Sequence, residues 1–327
     1  MLGDGVISLI LSNNLHLNGF QVTVYHDYLL AFQDWLEFNI KPTDSETLNE
    51  AILQTYDIVL ADTYSTFTER YDKKQITELA KTIIFFSSGK LDDIYYHDHK
   101  PYLTNKLTGD KAIYIPNFSA AAKRLKQSPS HSMVDNMTLY CSETLKLHNV
   151  TSDTGLALPD ELIFKKNPRR IIIAPTSSER KKEWSTRKFI QLARKLKNSG
   201  FNPVFSCTPD ERKQWLENTK NEYELPEFIS IKSFAEYIYE SGLLIGNDSG
   251  SGHLAAALGI PVLTIVTSPR KRKFRWRPGW GNNSTIAPYF TFSLSGKRHW
   301  RLFLPVNKVF NAFIKMYKQN HSSVKVQ

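Results

Sequence analysis

The chain has 327 residues, roughly two domains' worth at ~150 residues each, and its 41% hydrophobic content is enough to build packed cores. Its apolar runs, such as 6–11, fall far short of the ~20 residues that a membrane helix needs, and two cysteines, Cys141 and Cys207, make neither a disulfide framework nor a structural zinc site. The balance of 42 Lys+Arg against 32 Asp+Glu, net +10, excludes little but calls for an anionic partner: nucleic acid, an acidic membrane surface or a phosphorylated substrate.

At the N-terminus the apolar run lacks a basic leader and meets Asn13 and Asn14, which argues against a secretory signal and for a reducing cytoplasm. Runs at 21–25, 57–61 and 82–86 predict strands, with helices over 28–38 and 46–54 between them. Residues 87–89 (Ser-Ser-Gly) read as a loop, and 117–126 and 135–147 as further helices. The stretch 151–170, rich in Thr, Ser, Pro, Asp and Lys, is the expected linker between domains 1–155 and 156–327.

Beyond the linker, 171–173 is a buried strand, and Ser185 caps a helix whose Phe189, Leu192, Ala193 and Leu196 share one face. A strand over 203–207 and a helix from about 209 follow, then a strand over 228–231 and a helix over 233–240. A strand at 243–245, a helix at 251–258, a strand at 262–266 and a closing helix at 306–317 complete the pattern. Strands alternating with helices in both halves predict an α/β fold of two open parallel sheets, with ligands at the carboxyl ends of the strands.

Two segments carry the chemistry. In IGNDSGSGHLAAALGIP (245–261) a buried strand runs into Asp248 and Ser249. Gly250 and Gly252 then open a small-residue helix at His253. Glycine lets backbone N–H groups approach an anion, and a helix N-terminus supplies about half a positive charge, so the turn suits a diphosphate. An ordinary capped βα turn would look similar. Gly250-x-Gly252-x-x-Ala255 also fits a loose dinucleotide fingerprint, but it follows about three strands rather than the first. About 20 residues on, where an acidic residue is expected, stands Arg272, which keeps an NADP-dependent oxidoreductase as an alternative. The second segment, PTSSERKKEW (175–184), leaves the first strand of the second half and sets Ser177 and Ser178 before Arg180, Lys181 and Lys182. Hydroxyls and cations at such an edge suit phosphate, although a solvated charge run has the same composition.

Together the two segments, about 60 residues apart, resemble glycosyltransferase family 9, the ADP-heptose:lipopolysaccharide heptosyltransferases, over 170–268. The resemblance implies a GT-B fold, two Rossmann-like domains facing across a cleft, with the nucleotide sugar on the C-terminal one and the acceptor mainly on the N-terminal one. It implies inverting transfer of heptose from ADP-heptose to a phosphorylated lipopolysaccharide core, by a cytoplasmic enzyme peripheral at an anionic inner membrane. Carried over residue by residue, Asp4 of the Gly3-Asp4 pair is the catalytic base and Lys182 contacts the donor diphosphate. Ser177, Ser178, Asp248, Ser249, Gly250, Gly252 and His253 belong to the donor site, and Glu211 to the nucleotide ribose.

No Asp-x-Asp triplet occurs in the chain, and the adjacent ligands of His97-Asp98-His99 make a poor metal site, so neither metal nor cofactor is expected. The cationic and aromatic run 270–277 would suit nucleic acid by itself. Its place after the strand at 262–266 assigns Arg270, Lys271, Arg272 and Lys273, with Arg180 and Lys181, to acceptor or membrane instead. The segment 297–303 is a candidate extension of that surface.

Only Met1 and Leu2 precede Gly3-Asp4, where the family has a full strand. The expectation is therefore a first domain without its initial strand and a frayed, mobile Asp4. Either the true start lies upstream, or the chain is a catalytically impaired relative that still binds nucleotide.

Overall fold

The computed structural model describes residues 2–43, 59–62, 83–86, 131–269, 275–294 and 297–322, and elements are numbered over these. Helix α1 (Leu2–Leu17) comes first. Strand β1 (Thr23–Tyr25) pairs in parallel with β2 (Asn39–Lys41), and β3 (Val59–Asp62) with β4 (Ile83–Phe86). The helix expected at 28–38 is instead a tighter 3₁₀ stretch, Asp27–Trp35, which buries Leu29, Phe32 and Trp35 on one side. Helix α2 (Met133–Leu139) starts from a capping box between Ser132 and Asp135, and its continuation widens into a π turn at Tyr140–Thr144. The helices expected at 46–54 and 117–126, the loop at 87–89 and the 97–99 triplet lie outside the described residues.

The second half is built on five parallel strands: β5 (Asn167–Ala174), β6 (Asn202–Phe205), β7 (Ser241–Asn247), β8 (Val262–Ile265) and β9 (Ser284–Ile286). Their spatial order is β6-β5-β7-β8-β9. Because side chains alternate along a strand, Ile171, Ile173, Leu243 and Ile245 face one layer of helices, and Ile172 and Leu244 face the other. The first layer holds α3 (Thr186–Asn198), α4 (Pro209–Thr219) and α7 (Val306–Ser322). Each fully buried side chain of the α3 stripe, such as Phe189 or Leu192, contributes about 1.5–3 kcal/mol. Ser185 does sit at the N-cap in extended backbone, but its side chain makes no cap bond.

The other layer holds α5 (Ile231–Tyr239), α6 (Gly250–Ala257) and, unexpectedly, α1. Val6 and Leu9 of α1 join Leu254 and Ala255 of α6 in one core, and Phe32 and Trp35 extend it. The opposite side of α1, with Ile7, Ile10 and Leu11, packs on Met133, Met137 and Tyr140 around α2. Asn13 and Asn14, polar residues in an apolar helix, hold the segment at 151–153. The Asn14 Nδ2 donates to the Thr151 carbonyl (2.8 Å), the Thr151 N–H donates back to Oδ1 (2.8 Å), and the Asn13 Nδ2 donates to the Asp153 carbonyl (3.2 Å).

No strand forms at 228–231, where one was expected. Ser230 and Ser233 make a capping box that starts α5 at Ile231, and Phe228 turns its ring onto Phe234 and Tyr237. Ile229 is left 96% exposed, and among the described residues the outer edge of β6 is met by a single bridge from Glu224 to Val204. Strands β9, β10 (Phe292–Leu294) and β11 (Lys297–His299) were not expected; β10 and β11 pair antiparallel beside the main sheet. Among the described residues no helix is long and apolar enough to cross a membrane.

Candidate functional site

In the main sheet the chain leaves β5 for β6 on one side and then crosses to β7 on the other. At such a reversal the two following loops part and leave a crevice at the strands' carboxyl ends. The loops here are those after Ala174 and after Asn247, the two segments singled out in the sequence.

The first loop closes into a 3₁₀ turn at Arg180–Lys182. Lys182 Nζ lies 2.8 Å from Glu179 Oε1 and 3.7 Å from Asp248 Oδ2, so it spans both loops. Partial burial pulls its pKa down, but Glu179 and Asp248 outweigh that and leave it raised. Glu179 also pairs with Lys181, and the two lysines hold its carboxyl down at about 2. The tether therefore stands at neutral pH and is lost only as the pH falls through about 2, where Glu179 takes a proton.

Backbone hydrogen bonds fix the turn. Asn247, the last residue of β7, accepts the Trp184 N–H at Oδ1 (2.9 Å) and donates from Nδ2 to the Pro175 carbonyl (2.6 Å). Ser177 Oγ donates to the Asp248 carbonyl (3.3 Å), and the Ser177 N–H donates to Glu183 Oε1 (3.2 Å). From the far end of the chain, Arg301 donates to the carbonyls of Glu183 (2.6 Å) and Arg180 (2.7 Å), and Trp300 Nε1 donates to that of Lys181 (3.2 Å). Asn247, Trp300 and Arg301 were not singled out in the sequence. Only the neighbourhood of Asn247 to Asp248, and the cation-rich 297–303 run, pointed their way.

The second loop opens α6. Ser249 is its N-cap in extended backbone and shares a hydrogen bond with Ser251 (Oγ to Oγ 2.9 Å). His253 is 5% exposed, and burial pushes its pKa down to about 4, against a hydrogen bond to the Trp276 backbone that raises it. The ring is neutral at pH 7, and its Nδ1 has no hydrogen-bond partner among the described residues.

Asp4 comes to the same place by packing. It lies in the first turn of α1 rather than in a loop, between the buried Gly3 and Gly5. A Cβ on Gly3 would stand 3.0 Å from His253 Cδ2 and 3.4 Å from Gly250 Cα, and one on Gly250 would stand 3.0 Å from the Gly3 nitrogen. The two helix N-termini thus abut at a contact that a Cβ on either glycine would crowd. Contrary to the frayed terminus expected, the residues around Asp4 are seated against α6. Among the described residues β1 has β2 as its one partner, and no strand precedes Asp4.

Glu211 lies apart from this contact, as the N3 residue of α4. Its carboxylate accepts the Thr208 hydroxyl (2.8 Å) and N–H (3.1 Å), a capping role that the ribose assignment did not anticipate. Ser178, Arg180 and Lys181 are exposed on the first loop, Gly252 is buried inside α6, and Arg270, Lys271, Arg272 and Lys273 lie outside the described residues. The glycine turn follows β7, third in chain order in its sheet, and not the first strand as a dinucleotide fingerprint requires.

Solved structures share the fold that carries these loops. The glycosyl transferase family 9 protein from Veillonella parvula shares the fold at 14% identity, with 98% of this chain and 95% of that one covered and a TM-score of 0.61. E. coli heptosyltransferase WaaC with ADP gives 15% identity, 97% of each chain and a TM-score of 0.62. E. coli ADP-heptose lps heptosyltransferase II gives 13% identity, 98% and 97% coverage and 0.55. No curated protein matches the chain by sequence. The architecture is the two-domain GT-B arrangement of these neighbours. The family model of glycosyltransferase family 9 (heptosyltransferase) matches residues 117–294, more than half of the chain, which belongs to that family.

Proposed function

We propose that this chain transfers a heptose, with inversion, from ADP-heptose to a phosphorylated lipopolysaccharide core at the cytoplasmic face of an anionic inner membrane, without metal or cofactor. The observation that carries the reading is the convergence of Lys182, Asp248, the N-terminus of α6 and the Asp4 turn of α1 on the crevice between β5 and β7. The acceptor hydroxyl must lose a proton as it displaces the diphosphate. Asp4 is the proposed base for that proton, acting in the transition state. The departing ADP gains negative charge, which Lys182 and the amides at Gly250 and Gly252 are suited to stabilise where it develops. Asp248 holds the lysine, and Ser177 and Ser249 offer hydroxyls beside it. We assign residues 1–155 to the acceptor side and 156–327 to the donor side.

The test is incubation with ADP-heptose and heptose-deficient lipopolysaccharide core, followed by ADP release and mass spectrometry of the product. A mass gain of one heptose, unchanged by EDTA, is expected. ADP binding without turnover would leave a nucleotide-binding relative, and NADP binding in place of ADP would leave an oxidoreductase.

The reading extends to Arg301, a positioning residue that holds two carbonyls of the Lys182 turn. Charged hydrogen bonds are worth about 1.5–3 kcal/mol, so Arg301→Ala should raise the donor KM about tenfold. Initial-rate kinetics should find kcat reduced less than KM is raised.

A further inference from the structure

After Asp248 the chain contains no Asp or Glu at all, while residues 249–327 carry 13 Lys and Arg, more than the net charge of the whole molecule. Within this basic quarter four large apolar side chains stand in solvent: Tyr289 at 62%, Phe290 at 54%, Phe292 at 43% and Leu302 at 69% exposure. Tyr289, Phe290 and Phe292 gather at Phe303, and Leu302 precedes it in the chain. Phe303 links them, with its ring 3.8 Å from that of Phe290 and 5.7 Å from that of Phe292, and its carbonyl accepting the Tyr289 N–H (3.0 Å). Lys308 Nζ sits 3.7 Å over the Tyr289 ring. Leu302 then leads into a groove of about 480 Å³ between α3 and the start of α7, lined by Lys188, Arg194, Lys195, Pro305 and Val306.

We propose that this strip of Tyr289, Phe290, Phe292 and Leu302, with the 303–306 segment and the adjoining cationic face of α3, is the surface by which the protein docks on an anionic lipid bilayer. Exposed contiguous apolar patches mark interaction sites, and the groove beside this one sets Lys188, Arg194 and Lys195 among the uncharged Gln191, Asn198 and Asn307, with no carboxylate among its lining residues. Aromatic rings and a leucine inserting at headgroup depth, with Lys and Arg above them, supply the two weak signals that reversible membrane attachment needs. Leu302, the most exposed of the four, offers no ring on which a base could stack, which disfavours single-stranded nucleic acid. A second copy meeting this face on a two-fold axis would set the same cations against each other.

The docking face also lies directly behind the site, since Arg301, between Trp300 and Leu302, holds the Lys182 turn. This inference rests on the proposed transfer only for its purpose, a membrane-borne acceptor, and its test is separate.

The experiment is co-sedimentation of the full chain with phosphatidylcholine vesicles and with mixed phosphatidylcholine–phosphatidylglycerol vesicles. Binding only to the mixed vesicles is expected, weakened in salt of about 1 M, where the Debye length is ~3 Å. The triple variant Phe290→Ser, Phe292→Ser, Leu302→Ser should lose about tenfold or more in vesicle affinity. Because Phe290 and Phe292 also touch Phe303, the exposed pair Arg194→Gln, Lys195→Gln, which gives up only contacts to Tyr223 and the Phe310 ring, serves as a variant that keeps the apolar strip intact and should lose about tenfold too. ADP titration of each variant runs alongside. Lost vesicle binding in a variant that keeps the parent's cooperative melting curve supports the docking face whether or not ADP binds, and absent ADP binding in the parent chain counts only against the transfer reading. Unchanged vesicle binding in both variants overturns the docking face. So does a loss of self-association in sedimentation velocity, or of oligonucleotide binding, in place of vesicle binding.

Discussion

Asp4→Asn should lower kcat for heptose transfer by about 10²–10⁴-fold, the range typical for loss of a positioned general base, with ADP affinity unchanged. The expectation rests on where α1 begins. Its first turn is pressed against Gly250 and His253, and its body is clamped between α6 and α2, so Asp4 is held by a packed helix rather than by a chain end. Positioning of that kind matters, because misplacement of about 1 Å can cost ~10²-fold. Asparagine keeps the shape and removes the basic oxygen. It also removes a negative charge from a helix N-terminus, an effect of about 0.3–1 kcal/mol, so the thermal midpoint should move little while turnover collapses. Steady-state kinetics beside a melting curve and an ADP titration separate the two effects. A variant with full turnover would remove Asp4 from the chemistry and leave α1 as packing alone.

Lys182→Ala should lower kcat/KM for the nucleotide sugar by roughly 10- to 100-fold, from about 1.5–3 kcal/mol of charged hydrogen bonding at ~1.4 kcal/mol per decade. The ammonium is tied to the first loop by Glu179 and to the second by Asp248, which aims it at the crevice. Its loss leaves Glu179 still paired with Lys181, and the turn still held by Asn247, Trp300 and Arg301. Folding should therefore survive, and the melting curve should show it. If kcat/KM is unchanged in a folded variant, the lysine serves only to tie the two loops together.

Sequence alone determined the elements whose signal is local. The α3 stripe at Phe189, Leu192, Ala193 and Leu196 is legible because one helical face repeats at a fixed period. The runs in β5, β7 and β8 are legible because both faces of a central parallel strand are buried. The glycine turn and the PTSSERKKEW loop were legible for the same reason, since each is a contiguous motif at a strand's end. At 228–231 the same local reasoning failed. An apolar run there met a serine capping box, and a cap that starts a helix outcompetes an edge strand with little to pair against.

What only the tertiary structure decided lies between residues far apart in the chain. Asn247 accepting from Trp184, Arg301 reaching back to Arg180 and Glu183, and Asn14 clasping Thr151 join positions 63 to 137 residues apart. Such bonds leave no period or motif in either partner. The seating of Asp4 belongs with them. A residue three positions from a chain end frays by default, and it is held here because Gly3 and Gly250 lack the Cβ atoms that would crowd the contact of two helix N-termini.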